Sequence, residues 1–377
     1  MTLQLYLLRR HLVSIGFALA GLGILVIPAI TVPAVSKLGS AGISAVLEYV
    51  PLVLIELVPY IVPIAFLLGV VAAFGRLAAD NEWTAIRMAG VHPLKVLLPG
   101  ALVAVAGSAL TYAVLSQISP EWRYQQRAFL RASSLEKLKG LGNGRTQFSI
   151  GDIFLDAHGI GDEGVYYDVL LGIPARLLGD DPGGKDASDD EQDDVIVIIA
   201  DEIQVSFQGV ETMRLDLLNA SVLRDDWELR SEYPRYVWAL DSLVSSKPKR
   251  RDRPHYFSTA DLRERLKAGV PYDDEDELTD KQRDQMRYEI QFRKALSVSY
   301  GIFLLLGAAT GLWLKSGTQL GAMTGAIGIA FVYFVMQIEL GQQLSKAGIL
   351  APGLAAWATD ALFLIFALVA ARRVLWR

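Results

Sequence analysis

The chain has no cysteine among its 377 residues and only four histidines, His11, His92, His158 and His255. The first absence excludes a disulfide framework and any thiolate metal site. The histidines show no paired metal-ligand spacing and no nucleophile elbow occurs, so no catalytic site, metal centre or resident cofactor is expected. Acidic residues are also scarce, but only in part of the chain. Residues 118–290 hold 23 Lys+Arg and 35 Asp+Glu, a net charge of −12, whereas the other 204 residues hold 13 and six, a net of +7. A soluble globule of 204 residues does not manage with six acids. The chain therefore reads as a membrane protein with a soluble acidic insert. That insert lacks a basic patch, which excludes nucleic acid as a partner.

What is present is a set of long apolar runs. Stretches free or nearly free of Lys, Arg, Asp and Glu cover 11–36, 57–75, 96–120, 295–314 and 316–338, and a sixth over 347–371 is interrupted only by Asp360. Each approaches or exceeds the roughly 20 apolar residues that a helix needs to cross a bilayer. Three spans are predicted before the insert and three after it. Basic flanks set their orientation. Arg9, Arg10, Arg76, Arg87, Lys95, Lys315, Arg372, Arg373 and Arg377 border one set of span ends, and only Lys37 and Lys346 the other. Both termini are thus expected in the cytoplasm and the insert in a bacterial periplasm. Arg9-Arg10 before an apolar run also fits a twin-arginine signal, but the run is about twice the usual signal core and five further spans follow. The expected organisation is 1–120 for spans one to three, with a cytoplasmic segment near 76–90, then 121–285 for the insert and 286–377 for spans four to six.

Within the insert, Phe148–Leu155 and Val165–Leu171 flank a glycine-rich turn, Val195–Ile199 is a β-branched run, and Ile203–Phe207 and Met213–Leu217 alternate with period two. Antiparallel strands in a sandwich or open jelly roll are predicted. Their apolar residues, including Phe148, Ile150, Val195, Val197, Ile203, Val205, Phe207, Leu215 and Leu217, either fill a core or line a slot for acyl chains. Residues 179–194 have little to bury and repel one another, and read as an acidic loop. Gly159–Gly164 matches a dinucleotide fingerprint but lies between strands. Gly179–Lys185 has phosphate-loop spacing, but Asp186 takes the place of the magnesium-binding hydroxyl. Ser258 caps a helix that stops at Gly269, and Thr279–Gln282 opens another that runs through Tyr288 into span four.

The cytoplasmic segment Phe74–Pro93 carries the most distinctive chemistry. Asp80 can cap a short helix, Glu82 falls in its first turn, Gly90 supplies a left-handed end and Pro93 forbids continuation. Trp83 and Ile86 share one face. By chemistry alone two readings stand: an interfacial helix anchored among headgroups, or a docking element whose Glu82 meets a basic groove on a partner. Glu56, Glu339 and Asp360 are expected near the outer ends of their spans, partly buried, in either a structural or an ion-relay role. Lys37 is placed at headgroup depth, to snorkel or to meet a lipid phosphate.

Gly75-Arg76-Leu77, Asp80-Asn81-Glu82 and Thr84–Gly90 resemble the coupling-helix signature of the LptF/LptG (YjgP/YjgQ) lipopolysaccharide-export permeases. Tyr288-Glu289 with Arg293-Lys294, Gly311–Lys315 and Gly348–Trp357 resemble the same family, which extends the likeness over nearly the whole chain, the insert by pattern only. Asp360 departs from the family's more frequent Asn, and 179–194 resembles an insertion. The resemblance implies a polytopic membrane protein of six transmembrane α-helices (3+3) in the inner membrane, with a periplasmic β-jelly-roll-like domain between helices 3 and 4. It implies a non-catalytic ABC-transporter permease that moves lipopolysaccharide or a related lipid. Its implied partners are an LptB-like ATPase dimer that binds the ATP, a second LptF/LptG-like subunit and an LptC/LptA-like jelly-roll protein. Carried over, Arg76, Asp80, Glu82, Trp83 and Arg87 dock on the ATPase, while Lys37, Phe148, Ile150, Val205, Phe207 and Leu215 are candidates for lipid contact. Gly317, Gly321 and Gly325 recur every four residues and make a smooth face, for packing inside the subunit or for a lateral gate. Two other functions compete: an ion-coupled secondary transporter using Glu56, Glu339 and Asp360, and a membrane-anchored periplasmic scaffold.

Overall fold

The computed structural model describes residues 3–38, 43–123, 125–126, 129, 147–150, 153–161, 165–174, 195–208, 212–224, 227–231, 235–239, 253–272, 278–313 and 319–375. The chain divides into two compact units, one of residues 1–36, 47–126 and 250–377, the other of 37–46 and 127–249.

The first unit is helical. In chain order it contains α1 (Leu3–Leu38), α2 (Ile43–Ala79), the short α3 (Glu82–Met88), α4 (Pro93–Ala113), α5 (Thr259–Ala268), α6 (Asp280–Trp313), α7 (Gln319–Val335), α8 (Gly341–Lys346) and α9 (Pro352–Leu375). A π-helical turn at Val114–Ile118 follows α4, and another at Met336–Leu340 joins α7 to α8. Among the described residues, six helices are long and apolar enough to cross a membrane: those at Leu3–Val35, Ile43–Ala79, Pro93–Arg123, Asp280–Trp313, Gly321–Ser345 and Pro352–Leu375. All six predicted spans are present. Several are longer than their charge-free windows, because a charge ends an apolar run without ending a helix. Thus α2 begins at Ile43 and contains Glu48 and Glu56, and α6 begins at Asp280.

Helix α6 forms the axis of this unit, and glycine lets its neighbours approach. A Cβ on Gly311 would lie 2.7 Å from the Val71 carbonyl oxygen and 2.9 Å from the Gly75 nitrogen of α2, and one on Gly307 would lie 2.9 Å from Val70 Cγ1. Gly107 and Gly100 of α4 receive Tyr300 and Leu304 of α6 in the same way. Packing of this kind holds helices together where lipid removes the hydrophobic drive. Aromatic rings complete the core, with Phe303 and Phe363 set edge-on to Tyr333 at 4.9 and 5.2 Å.

Two of the three intramembrane acids differ from expectation. Asp360 is only 4% exposed and accepts a 2.7 Å hydrogen bond from Tyr333 Oη, because α6 and α7 cover that face of α9. Glu339 is exposed on the π turn. Glu56 is partly buried, as expected, and pairs with Arg123 at 3.0 Å.

Helix α5 has the predicted Ser258 cap, reciprocated by Asp261, and ends at Gly269 with φ +69°. Arg293 of α6 is 1% exposed and bolts the two helices together. It pairs with Glu289 at 2.9 Å and donates to Thr259 Oγ1 and the Phe257 carbonyl, both at 3.0 Å.

The second unit is an antiparallel sheet of β1 (Gln147–Ile150), β2 (Ile153–Ile160), β3 (Val165–Pro174), β4 (Val195–Gln208), β5 (Thr212–Leu218), β6 (Ala220–Arg224), β7 (Trp227–Ser231) and β8 (Arg235–Ala239). The path is β1-β2-β3-β4-β5-β8, with β6 also paired to β4 and β7 to β6. Strand β3 lies along one edge of β4, while β5 and β6 share the other.

Two strand boundaries are corrected. Phe148–Leu155 is not one strand, since Ile150 pairs with Ile153 across Gly151-Asp152. Val195–Ile199 and Ile203–Phe207 belong to a single strand of 14 residues. The reason is a shared change of phase. On β4 the buried positions run Ile196, Ile198, Ala200 and then Ile203, and on β3 they run Ile173, Leu171, Val169 and then Tyr166. The register pairs Val169 with Ala200 and Tyr166 with Ile203, and Asp168 between them has φ +50°. Side-chain alternation breaks there, and the ladder skips the Asp168–Asp201 pair and resumes in the same register, so a period-two signal divides one strand into two.

Candidate functional site

Six acids lie outside residues 118–290, and two of them, Asp80 and Glu82, converge on one cation. Arg10 of α1 reaches Asp80 Oδ2 with Nη2 at 3.0 Å and Glu82 Oε2 with Nη1 at 2.7 Å. Tyr6 stands one turn earlier on the same face of α1, as i and i+4 positions do. Its hydroxyl donates to Glu82 at 2.8 Å and accepts from Arg10. Gln4 adds a 2.8 Å hydrogen bond to the Lys95 carbonyl. One end of α1 is thus clasped to the loop between α2 and α4.

The loop is built by local chemistry. Asn81 adopts φ 57°, a left-handed conformation that Asn tolerates better than most residues, and this turns the chain from α2 into α3. Asn81, not Asp80, occupies the cap position. No side chain caps the helix, and the Asp80 carboxylate is committed to Arg10. At the other end Gly90 has φ +76°. Its nitrogen donates to the Arg87 carbonyl and that of Val91 to the Ile86 carbonyl, the paired bonds of a Schellman ending. Pro93 then opens α4, where the His92 ring accepts from Leu94 N at 3.3 Å.

The two faces of α3 differ in kind. Trp83 is turned inward, 8% exposed, and lies edge-on to Phe74 at 6.4 Å, which in turn meets His11 at 5.4 Å. Ile86 packs on the same core. Trp83 was expected on a docking surface; its indole is turned inward, where it packs against Phe74 and fastens α3 to α2. Outward lie Thr84, Arg87 and Met88, with Met88 84% exposed, and Arg76 and Asp80 are exposed at the end of α2. Tyr6, Arg10 and Met88 are the residues of this cluster that the sequence did not single out. Available signals were the four-residue spacing of Tyr6 and Arg10 and the position of Met88 on the side of α3 opposite the Trp83–Ile86 face.

The other candidates are dispersed. Gly321 and Gly325 lie on the exposed side of α7, and a Cβ on Gly325 or Gly328 would meet nothing within 4 Å. Gly317 and the loop 179–194 lie outside the described residues, as do the side chains of Lys37, Phe148, Ile150, Val205 and Phe207. Leu215 is 2% exposed on β5. Beside it Asp216 holds β8 in register through Arg214 at 2.8 Å and Arg235 at 2.5 Å. Desolvation pushes the Asp216 carboxyl up, but hydrogen bonds from Arg235 and Arg214 outweigh it and hold the group below its ordinary range. Among the described residues no group of three or more His, Asp or Glu is placed to hold a metal ion.

A rod fastened on one face and free on the other, at the end of a six-helix bundle, is what a membrane subunit needs in order to be moved from outside. Over residues 5–373 the sequence matches the family described as lipopolysaccharide export system permease LptF/LptG. The chain belongs to the LptF/LptG family. No curated protein sequence matches it. As an LptF/LptG permease it is a multi-pass membrane component of lipopolysaccharide export; Gly75-Arg76-Leu77 lie in the last turns of α2, and Asp80–Gly90 form the clasped turn and α3.

Proposed function

We propose that this permease is the non-catalytic membrane half of an ATP-driven lipid exporter, moved through α3 by a separate LptB-like ATPase dimer. In this reading the six helices cross the inner membrane three before and three after the sheet. Both termini and α3 are cytoplasmic, and the sheet is a jelly-roll-like domain in the periplasm. A second LptF/LptG-like subunit completes the lipid path, and an LptC/LptA-like protein receives lipopolysaccharide or a related lipid.

The observation that carries the reading is the asymmetry of α3. Arg87 and Met88 stand free for a partner's groove, while Trp83 and the Arg10 clasp tie the rod to α2 and α1. Displacement of the rod then reaches α1 directly. Partly exposed ion pairs are worth about 0–1 kcal/mol each, so the clasp fixes geometry more than it adds stability. Its acids are already engaged by Arg10, which leaves Met88 and Arg87 as the principal contacts for the ATPase. Ion coupling has less support. Glu56 is neutralised by Arg123 and Glu339 is exposed, so no file of buried acids crosses the bundle among the described residues.

Met88→Asp tests this reading. The side chain touches little of its own chain, so the variant should fold as wild type and fail to retain the ATPase on purification. Retention of the ATPase with undiminished lipid export contradicts the docking surface, and ATP hydrolysis by the purified chain alone contradicts the division of labour.

A further inference from the structure

A groove of about 680 Å³ runs between α4, α6 and α9, and none of its lining residues belongs to α1, α3 or α7. Small residues, Ala101, Ala104 and Gly301 among them, form its floor. One end is polar and carries Tyr112, Trp357 and Lys294. Lys294 is half-buried and makes no ion pair among the described residues, whereas the adjacent Arg293 is fully engaged. From Lys294 to Leu304 the groove follows ten residues of α6, about 15 Å at 1.5 Å per residue, which is half of a hydrocarbon core of about 30 Å. Tyr and Trp beside the cation are the residues that settle at the level of headgroups.

We propose that this groove holds one anionic glycerophospholipid of the surrounding bilayer, its phosphate on Lys294 and one acyl chain along the floor toward Leu304. Charge complementarity selects the headgroup: either lipid class can offer its phosphate to the uncompensated ammonium, but the anionic one keeps its full negative charge there, whereas a zwitterion's own cationic group offsets its phosphate and is repelled by Lys294. The assignment rests on α4, α6 and α9 crossing the bilayer, and is independent of the cargo and of the docking surface on α3.

The full-length chain in nanodiscs of equal phosphatidylglycerol and phosphatidylcholine, released into native mass spectrometry, tests it. Wild type should retain one phosphatidylglycerol in preference to phosphatidylcholine by about tenfold, the order expected when Lys294 meets a net negative headgroup in place of a neutral one at a half-buried site. Lys294→Gln should abolish the preference. Gly301→Leu should abolish retention of either lipid, and it suits the test because a Cβ at Gly301 meets no atom within 4 Å, so the leucine fills the groove without displacing protein. Equal retention of the two lipids by wild type, or wild-type retention by Gly301→Leu, overturns the assignment. A measurement that needs no variant uses phosphatidylglycerol with a photoreactive acyl chain. Adducts at Val105, Ala109 or Val298 support the groove, and adducts confined to α1 or α7 overturn it.

Discussion

Helices α6 and α7 are both rich in glycine, and they use it in opposite ways. The glycines of α6 are filled: Gly307 and Gly311 face Val70, Val71 and Gly75 at distances that leave no room for a methyl group. Two of those on α7 are open, with nothing within 4 Å of a Cβ at Gly325 or Gly328. Burial agrees, since 78% of the most apolar stretch of α6 is buried against 33% in the span that begins at Gly321. Charge separates them too, because Arg293 of α6 is enclosed and satisfied while Glu339 beyond α7 is exposed. One helix is the fixed axis of the subunit. The other leaves the positions of Gly325 and Gly328 open among the described residues. A four-residue glycine repeat therefore announces close approach without saying whose helix approaches.

That contrast can be broken at four places. The largest effect is expected at Arg293. Arg293→Ala strands Glu289 and should lower stability by about 3–5 kcal/mol, whereas Glu339→Gln should stay within about 0.5 kcal/mol, both read from denaturant unfolding in detergent. Next is Gly311→Leu, which drives a side chain into the backbone of α2 and should cost about 3 kcal/mol. Gly325→Leu should cost nothing in the isolated subunit, and equal losses at the two positions would erase the distinction between the helices. Gly307→Ala crowds side chains and no backbone, Val70 Cγ1 at 2.9 Å, Val70 Cβ at 3.1 Å and Leu67 Cδ1 at 3.3 Å, and should cost about 1 kcal/mol by thermal unfolding. The smallest effect has the opposite sign. Gly325→Ala should gain up to about 1 kcal/mol of helix stability, and if α7 is a gate it should still slow lipid release by the assembled exporter.

Much of the molecule is legible in its residues. The six spans follow from long apolar runs, which have few alternative uses. Helix α5 follows from a cap and a terminal glycine three turns apart, and α3 from Gly90 and Pro93. What was not legible depends on contacts distant in sequence. Arg10 reads as one more basic flank until the fold brings it to Asp80 and Glu82, 70 and 72 residues away. Trp83 belongs on one face of an amphipathic rod, but only the presence of Phe74 beside it decides that the face is internal. Asp360 looks peripheral because its depth depends on α7 and Tyr333, not on its own helix. Strand β4 crosses Asp201-Glu202 because β3 changes phase opposite it, which no local window records. Strands β6–β8 are each five residues long, too short for a periodic signal to accumulate.

The account depends on whether motion imposed on α3 must pass through Arg10 to reach α1. The direct measurement is ATP hydrolysis and lipid release, counted together, by the assembled exporter carrying Arg10→Gln, which leaves Trp83, Arg87 and Met88 in place. The account predicts that the ATPase stays bound and continues to hydrolyse ATP while lipid released per ATP falls sharply. An unchanged ratio of lipid to ATP would show that force reaches the bundle by another route, and would contradict the clasp as the coupling element.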